Sequence, residues 1–108
     1  MILIVGGLAA GKRAYARDVL GYGPDDFTTD PHDGAPVLYD LQNLPEATLE
    51  DLLQKEVIIC NEVGCGPVPV DAAVRAAREQ TGRLCIELAK RADRVIRVVC
   101  GVGQVIKG

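Results

Sequence analysis

The chain has no tryptophan, one phenylalanine and three tyrosines, so aromatics make up 4% of its 108 residues. A nucleic-acid surface built on stacked aromatic platforms is thereby excluded, and the core must come from Val, Ile, Leu and Ala. Basic charge is not in surplus: 12 Lys and Arg stand against 15 Asp and Glu, for a net charge of −3. That balance excludes general attraction to polyanions or anionic membranes, so neither nucleic acid nor membrane is expected as a partner. No apolar run reaches the roughly 18 residues that a spanning helix needs. Met1 leads directly into Ile2, Leu3, Ile4 and Val5 without a basic leader or export-cleavage pattern, which predicts a cytoplasmic protein. The four cysteines, Cys60, Cys65, Cys85 and Cys100, show neither C-x-x-C pairing nor a Cys/His metal pattern. Reduced thiols are expected, with Cys60 and Cys100 packed as small hydrophobes and Cys65 exposed in a Gly-rich loop.

What the chain does contain is 48% hydrophobic and 25% charged residues, the balance of a globular protein. One domain spanning residues 1–108 is expected. Ile2 to Val5 is a continuous apolar run closed by Gly6 and Gly7, the pattern of a strand buried on both faces. Good helix formers follow from Gly11 to Leu20, stopped by Gly21, Gly23 and Pro24. The polar, acidic stretch 21–36 predicts a long irregular loop. Val37 to Tyr39 is a second strand, Pro45 and the leucines at 49, 52 and 53 mark a short helix ending near Lys55, and Val57 to Cys60 is a third strand. The glycines and prolines of 61–69 break both helix and strand, and Asp71 caps the helix beyond. Small or apolar residues at 74, 77, 81, 84, 85, 88 and 92 recur at helical spacing, Val95 to Cys100 is a fourth strand, and Gln104 to Lys107 a last short edge strand. The fold expected from this alternation is a three-layer α/β fold, a small and mainly parallel sheet flanked by helices, with ligands beyond the carboxyl ends of its strands.

Gly6-Gly7-Leu8-Ala9-Ala10-Gly11-Lys12 has the G-x-x-x-x-G-K spacing of a phosphate-binding loop, directly after a strand and before a helix. Glycines let the backbone wrap a phosphate, N–H groups and the helix dipole meet its charge, and Lys12 reaches the terminal phosphates. The pattern asks next for Ser or Thr, whose hydroxyl ligates Mg²⁺, and here Arg13 follows. A guanidinium cannot ligate a cation; it either binds phosphate itself or marks a loop that no longer performs metal-dependent transfer. Asp40 and Glu62 each follow a strand, which brings them to the edge that carries the loop. There one carboxylate can hold Mg²⁺ and the other position a nucleophile or the metal, the alternative being ordinary loop carboxylates or helix caps. His32, the only histidine, lies in the turn Asp30-Pro31-His32-Asp33-Gly34 and is expected to be solvated, as are Arg75 and Arg78.

The opening Ile-Leu-Ile-Val-Gly-Gly-x-x-x-Gly-Lys, the strand Val37-Leu38-Tyr39-Asp40-Leu41, the central Asn61-Glu62-Val63-Gly64-Cys65-Gly66-Pro67-Val68-Pro69 and the closing Gly82-Arg83 to Gly101 pattern resemble the adenosylcobinamide kinase/adenosylcobinamide-phosphate guanylyltransferase family. The resemblance implies a P-loop fold, a trimer, and a place in cobalamin biosynthesis. It implies GTP or ATP with Mg²⁺ for phosphorylation of a cobinamide-type corrinoid. Carried over by motif, Gly6, Gly7, Leu8, Ala9, Ala10, Gly11, Lys12 and Arg13 would bind the nucleotide, Lys12 would act in catalysis, and Asp40 and Glu62 would serve catalysis and the metal. The family's Arg-Ser-Gly-Lys-Ser reads Ala9-Ala10-Gly11-Lys12-Arg13 here, its Asn-Gln pair in the last helix reads Cys85-Ile86, and the chain is shorter than typical members. His32 does not match the motif of the histidine that accepts the guanylyl group, so guanylyl transfer is expected to be absent. The alternative is a regulatory or structural paralogue that keeps the fold and an anion pocket without the chemistry.

Overall fold

The computed structural model describes residues 1–7, 9–44, 46–61 and 71–108. Its apolar runs form a six-stranded sheet: β1 (Ile2–Gly6), β2 (Phe27–Thr28), β3 (Val37–Leu38), β4 (Val57–Asn61), β5 (Arg94–Val99) and β6 (Val102–Lys107), in the spatial order β2-β3-β4-β1-β5-β6. The first five are parallel, and β6 turns back antiparallel on β5. Helices α1 (Lys12–Asp18), α2 (Leu49–Leu52) and α3 (Ala72–Arg91) carry the connections. The mainly parallel sheet with flanking helices is the α/β architecture expected from the alternation of strand and helix.

Strand β1 occupies the centre because its side chains are apolar on both faces. In register, Ile58, Leu3 and Val95 form one row, and Ile59, Ile4 and Ile96 form the next. The first row packs with Leu38, Leu52, Leu88 and Ala92 under α2 and α3; the second packs with Ala16, Val37, Val57 and Val98 under α1. Full burial of each such side chain contributes about 1.5–3 kcal/mol. Alternation along three parallel strands therefore supplies two cores, one on each side of the sheet.

Asp71 caps α3 as its position suggests, its Oδ1 accepting from the N–H groups of Ala73 (2.8 Å) and Val74 (3.2 Å). Thr48 caps α2 in the same way through the Asp51 N–H, so that helix is shorter than expected and starts later; Pro45 lies outside the described residues. Helix α1 also stops early, at Asp18, where the Val19 N–H closes on the Tyr15 carbonyl. The expected irregular stretch 21–36 is corrected: a 3₁₀ turn at Pro24–Asp26 leads into β2, which pairs Phe27 with Val37 and Thr28 with Leu38. Two residues are too few for a hydrophobic pattern, and backbone pairing plus the edge contact of Phe27 on Tyr39 hold the strand instead. Strand β6 begins at Val102 rather than Gln104. Cys100, expected in the core, is exposed at φ +50 in the β5–β6 turn, because the strand ends one residue before it. Among the described residues no helix is long and apolar enough to cross a membrane.

Gly6 is needed where β1 ends, since a Cβ there would lie 2.6 Å from the backbone oxygen of Val98. Nothing lies within 4 Å of the corresponding position at Gly7. Gly6→Ala should therefore lower stability by about 1–3 kcal/mol in urea unfolding, because the carbonyl belongs to a central strand and must shift. Gly7→Ala should stay within about 0.5 kcal/mol of the parent; equal midpoints for the two variants would refute the close approach.

Candidate functional site

The turn after β1 is tied down on two sides. The Gly7 carbonyl accepts from the Ala10 N–H (3.2 Å) and from Lys12 Nζ (2.6 Å), so the loop closes on its own lysine. Behind it, the Ala10 carbonyl accepts from the Gly101 N–H (2.8 Å) in the β5–β6 turn. Gly11 caps α1 at φ +89, a conformation that glycine adopts without steric cost, and its missing Cβ lets Gly101 approach. Ala9 also takes a positive φ of 57. Lys12 is buried, its stem filling the space beside Gly6.

This turn borders an open cavity of about 290 Å³ lined by Ala9, Ala10, Gly11, Lys12, Arg13, Asp40, Ile59 and Asn61. It lies at the carboxyl edge of the sheet because β1, β3 and β4 all run parallel and end there. Of the sequence-predicted residues, the structure brings together Ala9, Ala10, Gly11, Lys12, Arg13 and Asp40 on its wall. Gly6 and Gly7 form the support beneath. Leu8, Glu62 and Cys65 lie outside the described residues.

Asp40 follows β3 by two residues and adopts φ 56, ψ 41, a left-handed conformation that aspartate tolerates better than most residues. Its Oδ1 accepts from Gln42 Nε2 (3.3 Å), while Gln42 Oε1 accepts from the Asn61 N–H (3.1 Å). Gln42 thus spans from the end of β3 to the end of β4 and sets the spacing of two cavity residues. Neither Gln42 nor Asn61 stood out as a site residue, since a glutamine in a short polar turn has no local signal; only the parallel pairing of β3 and β4 brings the turn beside Asn61.

Arg13 points away from the usual metal role: its guanidinium carbon sits 4.9 Å from the centroid of the Tyr39 ring, a cation–π arrangement. It also lines an adjoining cleft of about 430 Å³ with Arg17, Pro24, Phe27 and Tyr39. His32 is not near the loop. It precedes β3, at the opposite edge of the sheet, with its side chain 74% exposed and its Nε2 3.7 Å from an Asp51 oxygen. Arg75 is exposed on α3 and Arg78 half-buried there. Among the described residues no cluster of three or more His, Cys, Asp or Glu side chains forms a metal cage. Asp40 is the described carboxylate at the cavity, a hard oxygen donor of the kind that holds Mg²⁺ together with substrate phosphates.

Comparison with known proteins adds two findings. The family model of cobinamide kinase / cobinamide phosphate guanyltransferase matches residues 31–106, which begins beyond the glycine turn of residues 6–12 and takes in Asp40, Asn61 and all of α3. The bifunctional adenosylcobalamin biosynthesis protein CobU of Salmonella typhimurium (strain LT2) is 45% identical over 53 residues, covering 49% of this chain and 29% of that protein.

Replacement of Gln42 by Leu removes the bridge between Asp40 and Asn61. It should raise the amide exchange rate of Asn61 and lower stability by about 1 kcal/mol. Unchanged exchange at Asn61 would show that Gln42 does not hold the two strand ends.

Proposed function

This chain belongs to the cobinamide kinase / cobinamide phosphate guanyltransferase family, and from that premise we propose that it is a nucleotide-binding, cobinamide kinase-like protein of cobalamin biosynthesis that lacks guanylyl transfer. The observation that carries the reading is the convergence of Lys12, Asp40 and Asn61 with the turn of residues 9–11 on one cavity. In this reading Lys12 Nζ exchanges the Gly7 carbonyl for phosphate oxygens of GTP or ATP, and stabilises the charge carried by the transferred group. Asp40, and Glu62 directly after Asn61, would hold the metal or orient the hydroxyl of a cobinamide-type alcohol. Mg²⁺, when bound, supplies neutralisation of the phosphate charge. Phosphoryl transfer needs little from a protein beyond positioning and electrostatics, so a site this small suffices. His32, at the opposite edge from the loop, supports the absence of a guanylyl-histidine step.

The alternative is a non-catalytic paralogue that keeps an anion pocket, and the observation favouring it is Arg13, stacked on Tyr39 in the place of a metal-ligating hydroxyl. Self-association, as the trimer the family resemblance implies, would cover the half-exposed or more exposed Val99, Val102, Val105 and Ile106 at the β5–β6 edge.

Calorimetric titration with GTP and with ATP, each with and without Mg²⁺, tests both readings. Saturable binding should weaken at least ~10-fold in Lys12→Ala, and a nucleotide at 100-fold excess over Kd should stabilise the parent by about 2.7 kcal/mol. Mg²⁺-dependent nucleoside diphosphate release on adding cobinamide supports the kinase; Mg²⁺-independent binding without turnover supports the paralogue. No heat and no stabilisation with either nucleotide refutes the nucleotide reading.

A further inference from the structure

Where β4 packs against α3, two cysteines meet. Cys60 is fully buried near the carboxyl end of β4, and Cys85 is half-buried on the face of α3 that packs against the same core cluster. Their Sγ atoms are 3.5 Å apart, although 25 residues separate them in the chain. A disulfide needs about 2.05 Å, so the two sulfurs have about 1.5 Å to close. We propose that Cys60 and Cys85 are an oxidisable thiol pair, the site at which a peroxide or a small-molecule disulfide drives an intramolecular cross-link between β4 and α3.

The two sulfurs differ in the way such chemistry requires. Cys85 is the one solvent reaches, half-buried on the side of α3 where Cys60 is closed off by the core. Cys60 is fully buried and no oxidant reaches it directly. Cys85 is therefore the attacking thiolate and Cys60 the resolving group, shielded from oxidant but in reach of its neighbour. With a peroxide, the Cys85 sulfur bonds to one oxygen as the O–O bond breaks, and the departing oxygen leaves as water. The Cys60 sulfur, giving up its proton, then displaces the second oxygen from Cys85, which also leaves as water. Two thiols lose two electrons and two protons, and one peroxide becomes two waters.

The cross-link would close a loop that holds Asn61 and α3 from Ala72 as far as Cys85. Cys60 Sγ lies 3.2 Å from the Asn61 carbonyl oxygen, a contact that the S–H makes as donor and a disulfide cannot. Asn61 lines the phosphate-loop cavity, whereas neither sulfur does. The proposal does not depend on the nucleotide reading, because thiol chemistry alone reads it out.

The test is to treat the reduced full chain with hydrogen peroxide or oxidised glutathione, block remaining thiols with iodoacetamide, and map the peptides. Cleavage after Glu62 as well as after Lys and Arg separates Cys60 from Cys65. The expected result is a mass loss of about 2 Da, a linked Cys60–Cys85 peptide, alkylation at Cys65 and Cys100, and reversal by dithiothreitol. The oxidised form should melt higher by an amount on the order of 10 °C. Cys85→Ser should leave Cys60 reduced under the same oxidant. Cys85 found alkylated after treatment, left as a sulfinic acid, or linked to Cys65, to Cys100 or to a second copy overturns the proposal. The wild-type map decides this even if a variant fails to fold.

Discussion

Everything in this fold depends on β1 being buried on both faces and along both edges. Leu3 and Ile4 alternate to opposite sides of the sheet, and each is flanked in register by apolar residues of β4 and β5. A strand so placed cannot tolerate a polar residue on either face, so its length is set by the run of apolar side chains. Where the run stops, the backbone leaves the sheet at its carboxyl edge. The turn that leads to Lys12 therefore begins at Gly6, pressed against the backbone of β5.

The candidate site inherits its geometry from that arrangement. Parallel strands end on one edge, so Asp40 after β3, Asn61 at the end of β4 and Lys12 after β1 share a cavity despite wide separation in the chain. The β5–β6 turn backs the loop through the Gly101 hydrogen bond to Ala10, and Gln42 links the ends of β3 and β4. Each contact is modest, about 0.5–1.5 kcal/mol net for a hydrogen bond, and their value lies in fixing relative positions.

The amino edge is built differently. Lys55 is buried, and its Nζ donates to the carbonyl oxygens of Asp33 and Ala35, which pins the loop before β3 against the turn before β4. A cation there satisfies loop carbonyls at the edge away from Lys12 and Asp40. His32 belongs to this edge, and that location separates it from Lys12 and Asp40 more firmly than its sequence context does.

Much of this was legible in the residues themselves. Apolar runs announced β1, β3, β4 and β5, helical spacing announced α3, and Asp71 its cap, because such signals are local and repeat with the period of the element. Strand β2 and the exposure of Cys100 were not legible, since pairing partners and strand ends are settled between segments. The same is true of the Gln42 bridge, of Arg13 turned onto Tyr39, and of Cys60 meeting Cys85. Sequence by itself determined which segments become strands and helices and which residues carry charge to their ends. Only the tertiary structure decided which of those residues meet, because contact across parallel strands follows from sheet order and register, and no local pattern encodes either.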